Sequence, residues 1–316
     1  MNDETGWFHR RGALAGDGWE SVIDDGIPGW QHTGLRVGVL TDADCLSLDV
    51  AGQERIVVPL AGSFTVEVVE QGIASTVQLA GRASVFDGPT DVLYLSSATT
   101  ATVRGSGRVA VASSPTNEVR PTRRIAAAET PVELRGAGVS SRQVHNFGTP
   151  QSLDAARLIV CEVITPAGNW SSYPPHKHDE HVPGHESRLE EIYYFEAERA
   201  DRSSQGADAA FGLFSTYSSP AGDIEIDAMV RTGDIALVPF GYHGPAVAAP
   251  GYDLYYLNVM AGPDPEREWL ISDDPAHAWV RDAWASQPID PRLPFPAAAG
   301  PQGHDNDDEH DEGGPR

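Results

Sequence analysis

Between residues 34 and 259 the sequence is a succession of short β-type runs closed by Gly, Asp or Pro, and that punctuation constrains the chain to an all-β fold. In the first half the runs cover residues 36–40, 45–50, 54–60, 62–68, 75–79, 91–95 and 108–112. A passage at 113–130, rich in Pro, Thr, Arg and Ala, reads as a linker. Runs then resume at 132–135, 142–147, 156–164, 189–196, 211–217, 224–230, 234–238 and 252–259. Helical spacing is scarce; it is expected once, between Pro265 and Trp284, in Glu266-Arg-Glu-Trp-Leu and Ala276-His-Ala-Trp-Val-Arg-Asp-Ala-Trp. At 316 residues the chain is longer than one ordinary core usually occupies, so two β units are expected.

The formal charge of −24 argues against nucleic acid and against an anionic membrane surface as partners. Part of that excess belongs to the end of the chain. Residues 300–316 carry Asp305, Asp307, Asp308, Glu309, Asp311 and Glu312 with almost nothing apolar, the composition of a disordered, solvating tail. A small anionic substrate is compatible with this balance if a local basic clamp receives it. Cys45 and Cys161 are the only cysteines, and the opening Met1-Asn-Asp-Glu-Thr is acidic and polar, so a cytoplasmic protein with reduced thiols is expected. No stretch is long and apolar enough to span a bilayer. Gly105-Ser-Gly-Arg-Val-Ala110 has the outline of a dinucleotide loop, but a strand follows it where phosphate binding needs a helix N-terminus.

The chemistry-bearing residues concentrate in Tyr173-Pro-Pro-His-Lys-His-Asp-Glu-His-Val-Pro-Gly-His185, which runs into Leu189-Glu-Glu-Ile-Tyr-Tyr-Phe195. On an extended chain His176 and His178 leave the same face of the sheet, as two metal ligands must. Glu190 or Glu191 can supply a carboxylate from the next strand; adjacent residues face opposite ways, so only one can. Gly233-Asp-Ile-Ala-Leu-Val-Pro-Phe-Gly-Tyr-His243 is a turn, an apolar strand, a second turn and a histidine, which makes His243 the natural last ligand. His181 and His185 read as surface histidines, and His304 and His310 belong to the acidic tail.

These motifs resemble those of the cupin superfamily. Within it, Tyr173-Pro-Pro-His-Lys-His-Asp-Glu180, Leu189-Glu-Glu-Ile-Tyr-Tyr194 and Pro250-Gly-Tyr-Asp-Leu-Tyr-Tyr-Leu-Asn-Val-Met-Ala-Gly262 closely resemble the 5-deoxy-glucuronate isomerase family of inositol catabolism. The resemblance implies two tandem cupin barrels: residues 1–125 without a metal site, 126–290 with one and a short C-terminal helix, and 291–316 as tail. It implies His176, His178, Glu191 and His243 as ligands of a divalent metal, Zn or Mn before Fe or Ni. Two departures stand out. Twelve residues separate His178 from Glu191, so residues 180–188 form an inserted loop, and the motif ending at His243 is one residue short.

The implied reaction is an aldose–ketose isomerisation, an intramolecular oxidation and reduction that carries 5-deoxy-D-glucuronate to 5-dehydro-2-deoxy-D-gluconate through an enediol. Tyr242, beside His243, and Lys177, between the two ligand histidines, are the candidates for moving the proton. Arg188 and Arg142 are candidates for clamping the carboxylate, because guanidinium offers a bidentate fork. Tyr193 and Tyr256 are candidates for lining the cavity. An Fe(II) dioxygenase and a sugar-binding cupin without turnover are the rival functions, and a homo-oligomer is compatible with the sequence.

Overall fold

The computed structural model describes residues 6–50 and 52–295. Nearly all of its regular structure is β, as the punctuated runs predict, and the strands form three antiparallel sheets. The eight-stranded sheet has the path Ser21–Ile23, Gly34–Leu40, Thr99–Pro115, Gln53–Glu70, Val92–Leu95, Arg123–Ile125, with Cys45–Ser47 attached to Thr99–Pro115 and Ile73–Arg82 attached to Gln53–Glu70. A seven-stranded sheet runs Phe8–His9, Ile235–Val238, Glu190–Arg199, Tyr252–Ala261, Ile159–Thr165, Arg142–Gly148, Val132–Arg135. The six-stranded sheet runs Gly222–Val230, Gly212–Ser219, Tyr242–Ala248, His176–Lys177, Ser272–Asp273, with Trp170–Ser171 attached to Tyr242–Ala248.

Side-chain alternation explains how the sheets stack. In Glu190–Arg199, Ile192 and Tyr194 belong to one core, while Tyr193 and Phe195 belong to another. The first core joins the eight- and seven-stranded sheets, with Ile56, Val58 and Leu60 facing Ile192, Leu237 and Leu257. The second fills the space between the seven- and six-stranded sheets and holds Tyr193, Phe214 and Ile226. A strand buried on both faces reads as a continuous apolar run, which is why Ile192-Tyr-Tyr-Phe195 lacks polar alternation. A third core lies within the N-terminal half, where Val57 and Phe64 belong to the same cluster although one is odd and the other even. The bulge between Pro59 and Ala61 reverses the alternation there. Gly62 (φ +93°) and Gly107 (φ +129°) face each other at this bend, and a Cβ on Gly107 would lie 2.0 Å from Ala61 O. The glycines around residue 105 therefore serve a strand crossing.

The two halves repeat one strand order. Gly34–Leu40, Thr99–Pro115, Gln53–Glu70 and Val92–Leu95 correspond in sheet position and chain order to Ile159–Thr165, Tyr252–Ala261, Glu190–Arg199 and Ile235–Val238. Each half also clasps the other with an equivalent carboxylate. Glu54 accepts the amides of Ala156, Arg157 and Leu158 at 2.7, 2.5 and 2.7 Å. Glu190 accepts those of Gln31, His32 and Thr33 at 2.9, 2.7 and 3.2 Å. Such charge-assisted bonds satisfy three loop donors at once. Between them, buried Arg82 pairs with Glu162 at 2.6 Å across the same junction.

Three sequence expectations are corrected or bounded. The helix expected between Pro265 and Trp284 shrinks to Val280–Trp284. The 266–270 stretch is irregular, and Arg267 donates to the carbonyls of Leu158, Leu153 and Gly148, each at 2.6 Å, which ties the stretch to the seven-stranded sheet and its adjoining loop in place of a helix. The 113–130 linker is partly structured: Arg123–Ile125 pairs with Val92–Leu95. The expected division at 125 also does not follow the sheets at the start of the chain, where Phe8–His9 pairs with Ile235 and Ala236. Residues 296–316, most of the expected tail, lie outside the described residues. Among the described residues no helix is long and apolar enough to cross a membrane.

Candidate metal centre

Three segments converge between the seven- and six-stranded sheets. His176 stands directly opposite His243 across the pairing of His176–Lys177 with Tyr242–Ala248, which brings the two rings to 4.5 Å. His178 lies just beyond that short strand; its carbonyl accepts the Leu189 amide at 2.9 Å, and its Nδ1 donates to Leu189 O at 3.1 Å. This reciprocal contact closes the base of the inserted loop. The chain therefore re-enters the sheet in step, and Glu191, two residues on, meets the His178 ring with its Oε2 3.0 Å from Nε2. Gly244 (φ +90°) allows the His243 strand to pass close to the Ser172 turn, where a Cβ would sit 1.8 Å from Ser172 O.

The ring orientations fit a cation. Nδ1 of His176 faces Pro174 O at 3.2 Å, and Nδ1 of His243 faces Gly241 O at 3.2 Å, as His178 faces Leu189. A carbonyl only accepts, so Nδ1 carries the proton in all three rings and each Nε2 presents a lone pair. Glu191 Oε2 also lies 3.1 Å from His243 Nε2, yet that nitrogen is buried without a hydrogen-bond partner. Lone pairs facing a carboxylate oxygen at this distance repel unless a proton or metal ion lies between them. His178, Glu191 and His243 have ligand atoms within 4.8 Å of one another, and the His176 ring adjoins them. Burial works against ionisation of Glu191, but the two adjoining imidazoles outweigh it and bring the carboxyl to about 2. Burial and the flanking imidazoles hold His176 well below its usual range.

Two members of the cluster, His176 and Glu191, line a cavity of about 500 Å³. Tyr193, Tyr256, Val144 and Val163 form its wall, and Arg135, Arg142 and Arg281 stand around it with Trp269 and Trp284. Ser172 Oγ lies 3.2 Å from the Tyr193 hydroxyl and 3.0 Å from that of Tyr256, so the three hydroxyls form one chain along the wall. Arg135 pairs with Glu133 at 2.9 Å and Arg281 pairs with Asp273 at 2.7 Å. Arg142 is different. It is 8% exposed, donates to Ser140 O at 3.0 Å and stacks over Trp284, and among the described residues it has no carboxylate partner. A second groove, near Arg120 and Arg123, is of similar size but has none of these imidazoles.

The structure thus brings His176, His178, Glu191, His243, Arg142, Tyr193 and Tyr256 to one site, and it turns Glu190 away into the clasp on residues 31–33. It does not bring Lys177, Tyr242 or Arg188 there. Lys177 points to the other face of its strand, where Nζ meets Asp179, Glu186 and Glu180 at 2.6, 2.8 and 3.1 Å. Asp179 in turn accepts the Gly241 amide at 2.9 Å, so this network ties the inserted loop to the turn that launches His243. Tyr242 stacks on Tyr217 with ring centroids 5.3 Å apart, and exposed Arg188 bonds Asp264 through its amide at 3.0 Å. Arg135, Arg281, Asn258, Trp269 and Ser172 were not singled out from the sequence. For Arg135 a signal existed: alternation in Val132-Glu-Leu-Arg135 places Glu133 and Arg135 on one face.

The chain is similar to known proteins in sequence and in fold. The KduI/IolB family model matches residues 8–280. The 5-deoxy-glucuronate isomerase of Geobacillus thermodenitrificans (strain NG80-2) is 38% identical over 258 residues, which cover 81% of this chain and 88% of that protein. The protein of the same name from Bacillus subtilis (strain 168) is 41% identical over 252 residues, 78% of this chain and 86% of that protein. The crystal structure of an IolB-like protein from Salmonella typhimurium LT2 superposes with a TM-score of 0.77 at 33% identity, covering 87% of this chain and 99% of that one. Lactobacillus farciminis oxalate decarboxylase, at 9% identity and a TM-score of 0.55 over 80% of this chain and 82% of its own, shares the cupin-like fold alone. On sequence, on fold and over most of its length, the chain belongs to the KduI/IolB family.

Proposed function

We propose that this protein is an aldose–ketose isomerase that converts 5-deoxy-D-glucuronate to 5-dehydro-2-deoxy-D-gluconate in inositol catabolism. The reading is supported by the relatives of that name and carried by one observation: His176 and Glu191, members of a buried cluster of three imidazoles and a carboxylate, line the same cavity as Arg142, a buried guanidinium without a carboxylate partner. The substrate has an aldehyde at one end and a carboxylate at the other. His176, His178, Glu191 and His243 are the residues that would hold a divalent metal, and Zn or Mn suits their mixed nitrogen and oxygen donors. Such a metal, when bound, supplies Lewis-acid polarisation of the sugar's oxygens.

The chain's own groups do the rest. Arg142 receives the carboxylate and fixes which end of the sugar reaches the imidazoles. Burial pushes the Tyr256 phenol up, so it keeps its proton and can donate it to an oxygen. The Tyr193–Ser172–Tyr256 chain relays the O2 proton to O1 along the wall, while the proton lost from C2 is the one that C1 gains through the enediol, so atoms and electrons balance within the substrate. Transfer of the oxygen-bound proton is therefore assigned to these hydroxyls, in place of Lys177 and Tyr242. The two halves are read as tandem cupin barrels, supported by the repeated strand order, with the metal in the second. Free Cys45 and Cys161 accord with a cytoplasmic enzyme.

The test is to load the protein separately with Zn and Mn, add 5-deoxy-D-glucuronate and follow the proton spectrum. Loss of the aldehyde signal with growth of the keto acid is expected. A persistent aldehyde with every metal would remove the isomerase reading, and oxygen uptake by an iron-loaded sample would replace it with a dioxygenase.

A further inference from the structure

Among the described residues that line the cavity, two side-chain polar atoms are buried without a protein partner, and both are hydrogen-bond donors. Asn258 is 3% exposed, yet its Nδ2 is buried with no acceptor. Trp269 Nε1 is likewise buried without an acceptor, and Arg142 uses its guanidinium on a single carbonyl. Both Asn258 and Trp269 line the same cavity as Glu191. A buried amide left without a partner is disfavoured, so a ligand oxygen is the natural complement.

Sheet register locates Asn258 along the substrate. Glu191 pairs with Met260 and Tyr193 pairs with Asn258, which places Asn258 on the neighbouring strand, diagonal to Glu191 and on the same face. Arg142 lies two strands further across the sheet, beyond Ile159–Thr165. A sugar acid stretched from the imidazoles to Arg142 passes Asn258 first. The groups that meet its middle carbons differ in kind, because Val163, on the strand between Asn258 and Arg142, and Val144, on the strand of Arg142 itself, line the cavity on the way to the guanidinium. An amide at the imidazole end and methyl groups toward the acid end match a chain hydroxylated near its aldehyde and bare next to its carboxylate.

We propose that Asn258 is a specificity-determining residue whose amide donates to a hydroxyl oxygen of the sugar close to the aldehyde end, the C3 hydroxyl. The inference rests on the isomerase reading of the same cavity. It accounts for the unpaired amide and assigns the selection of a hydroxylated carbon to one side chain. A site built to donate to a hydroxyl rejects an analogue that lacks it, since the amide is then buried unpaired.

The experiment compares wild type, Asn258→Leu and Asn258→Asp, each metal-loaded and with metal content measured, on 5-deoxy-D-glucuronate and on its 3-deoxy analogue. Wild type should prefer the hydroxylated substrate by at least 100-fold in kcat/KM. Asn258→Leu should lose most of that preference, chiefly by turning over the natural substrate 30- to 100-fold less well. Asn258→Asp should also be impaired, because a carboxylate repels the anionic substrate and offers no donor. The amide holds no protein partner, so Asn258→Leu should melt at or above the wild-type temperature with unchanged metal content. Retained discrimination in Asn258→Leu, or a melting temperature well below wild type, overturns the proposal. Wild-type protein that leaves the aldehyde untouched overturns the isomerase reading instead, so the two failures are separate.

Discussion

On the isomerase reading, Arg142 is the residue through which an acidic protein would receive an anion. Burial lowers its pKa first and foremost, the nearby Arg135 and Arg281 add to that, and the result is about 10. It is therefore still charged at neutral pH, but held at a cost that an arriving carboxylate removes. Arg135 and Arg281 are neutralised by Glu133 and Asp273, which leaves Arg142 as the free fork among the three. Replacing it by Met should remove a bidentate, charge-assisted contact worth about 3 kcal/mol, and so raise KM about 100-fold. The metal-free melting temperature should hold or rise, because a buried charge without a carboxylate partner is gone. Steady-state kinetics with a thermal melt checks both, and an unchanged KM would place the carboxylate elsewhere. Its neighbour in the sequence reading, Arg188, fails for a plain reason: it stands outside with Asp264.

At the scale of strands, Glu54-Arg55 and Glu190-Glu191 occupy equivalent places in the two halves. The first member of each pair clasps the opposite half, and the second faces inward. Where Glu191 meets imidazoles, Arg55 donates to Leu48 O at 2.6 Å, to Ser96 O and Thr99 O at 2.8 Å each, and to Thr99 Oγ1 at 2.7 Å. One guanidinium thus ties together the segments whose counterparts carry the imidazoles in the other half. Arg55→Met would leave several carbonyls unpaired in a dry site and should destabilise the protein by about 3 kcal/mol. Metal content should stay at one ion per chain. Chemical unfolding and metal analysis read the two, and a metal lost with Arg55 would contradict the separation.

Elements of this kind mark the limit of what the sequence discloses. Alternation and turn residues made the strands legible, and the His-x-His spacing made His176 and His178 legible as one face. The pairing of His178 with Leu189, which absorbs the inserted loop, is a backbone contact that no residue type announces. The helical spacing in 266–270 was real but was overruled by Arg267 and its three carbonyls. Asn258 sits in an apolar strand where only sheet register distinguishes a cavity residue from a core one.

Across the whole molecule, the two halves are joined by an apolar core with a charged group at its centre. Glu162 is fully buried; it receives Arg82 from the other half, the Tyr255 hydroxyl at 2.8 Å and His145 Nδ1 at 2.6 Å. Burial works against its ionisation, but the charge and hydrogen bonds of Arg82 and the contact with His145 outweigh that and hold it at about 2, against an ordinary 4.5. A carboxyl whose pKa is depressed on folding stabilises the fold above its unfolded value and loses that contribution as pH falls. The window is pH 4.5 down to about 2, and the contribution lost across it is about 3 kcal/mol. Unfolding free energies of metal-free wild type and Glu162→Gln, measured across pH 6 to 2, isolate it from the other carboxyls. Glu162→Gln should be less stable at pH 6, since Arg82 is left buried without its counter-charge. The gap between the two proteins should then narrow by about 3 kcal/mol as the medium is acidified. A gap that stays constant with pH would mean that the Arg82–Glu162 pair is not what couples the halves to acid.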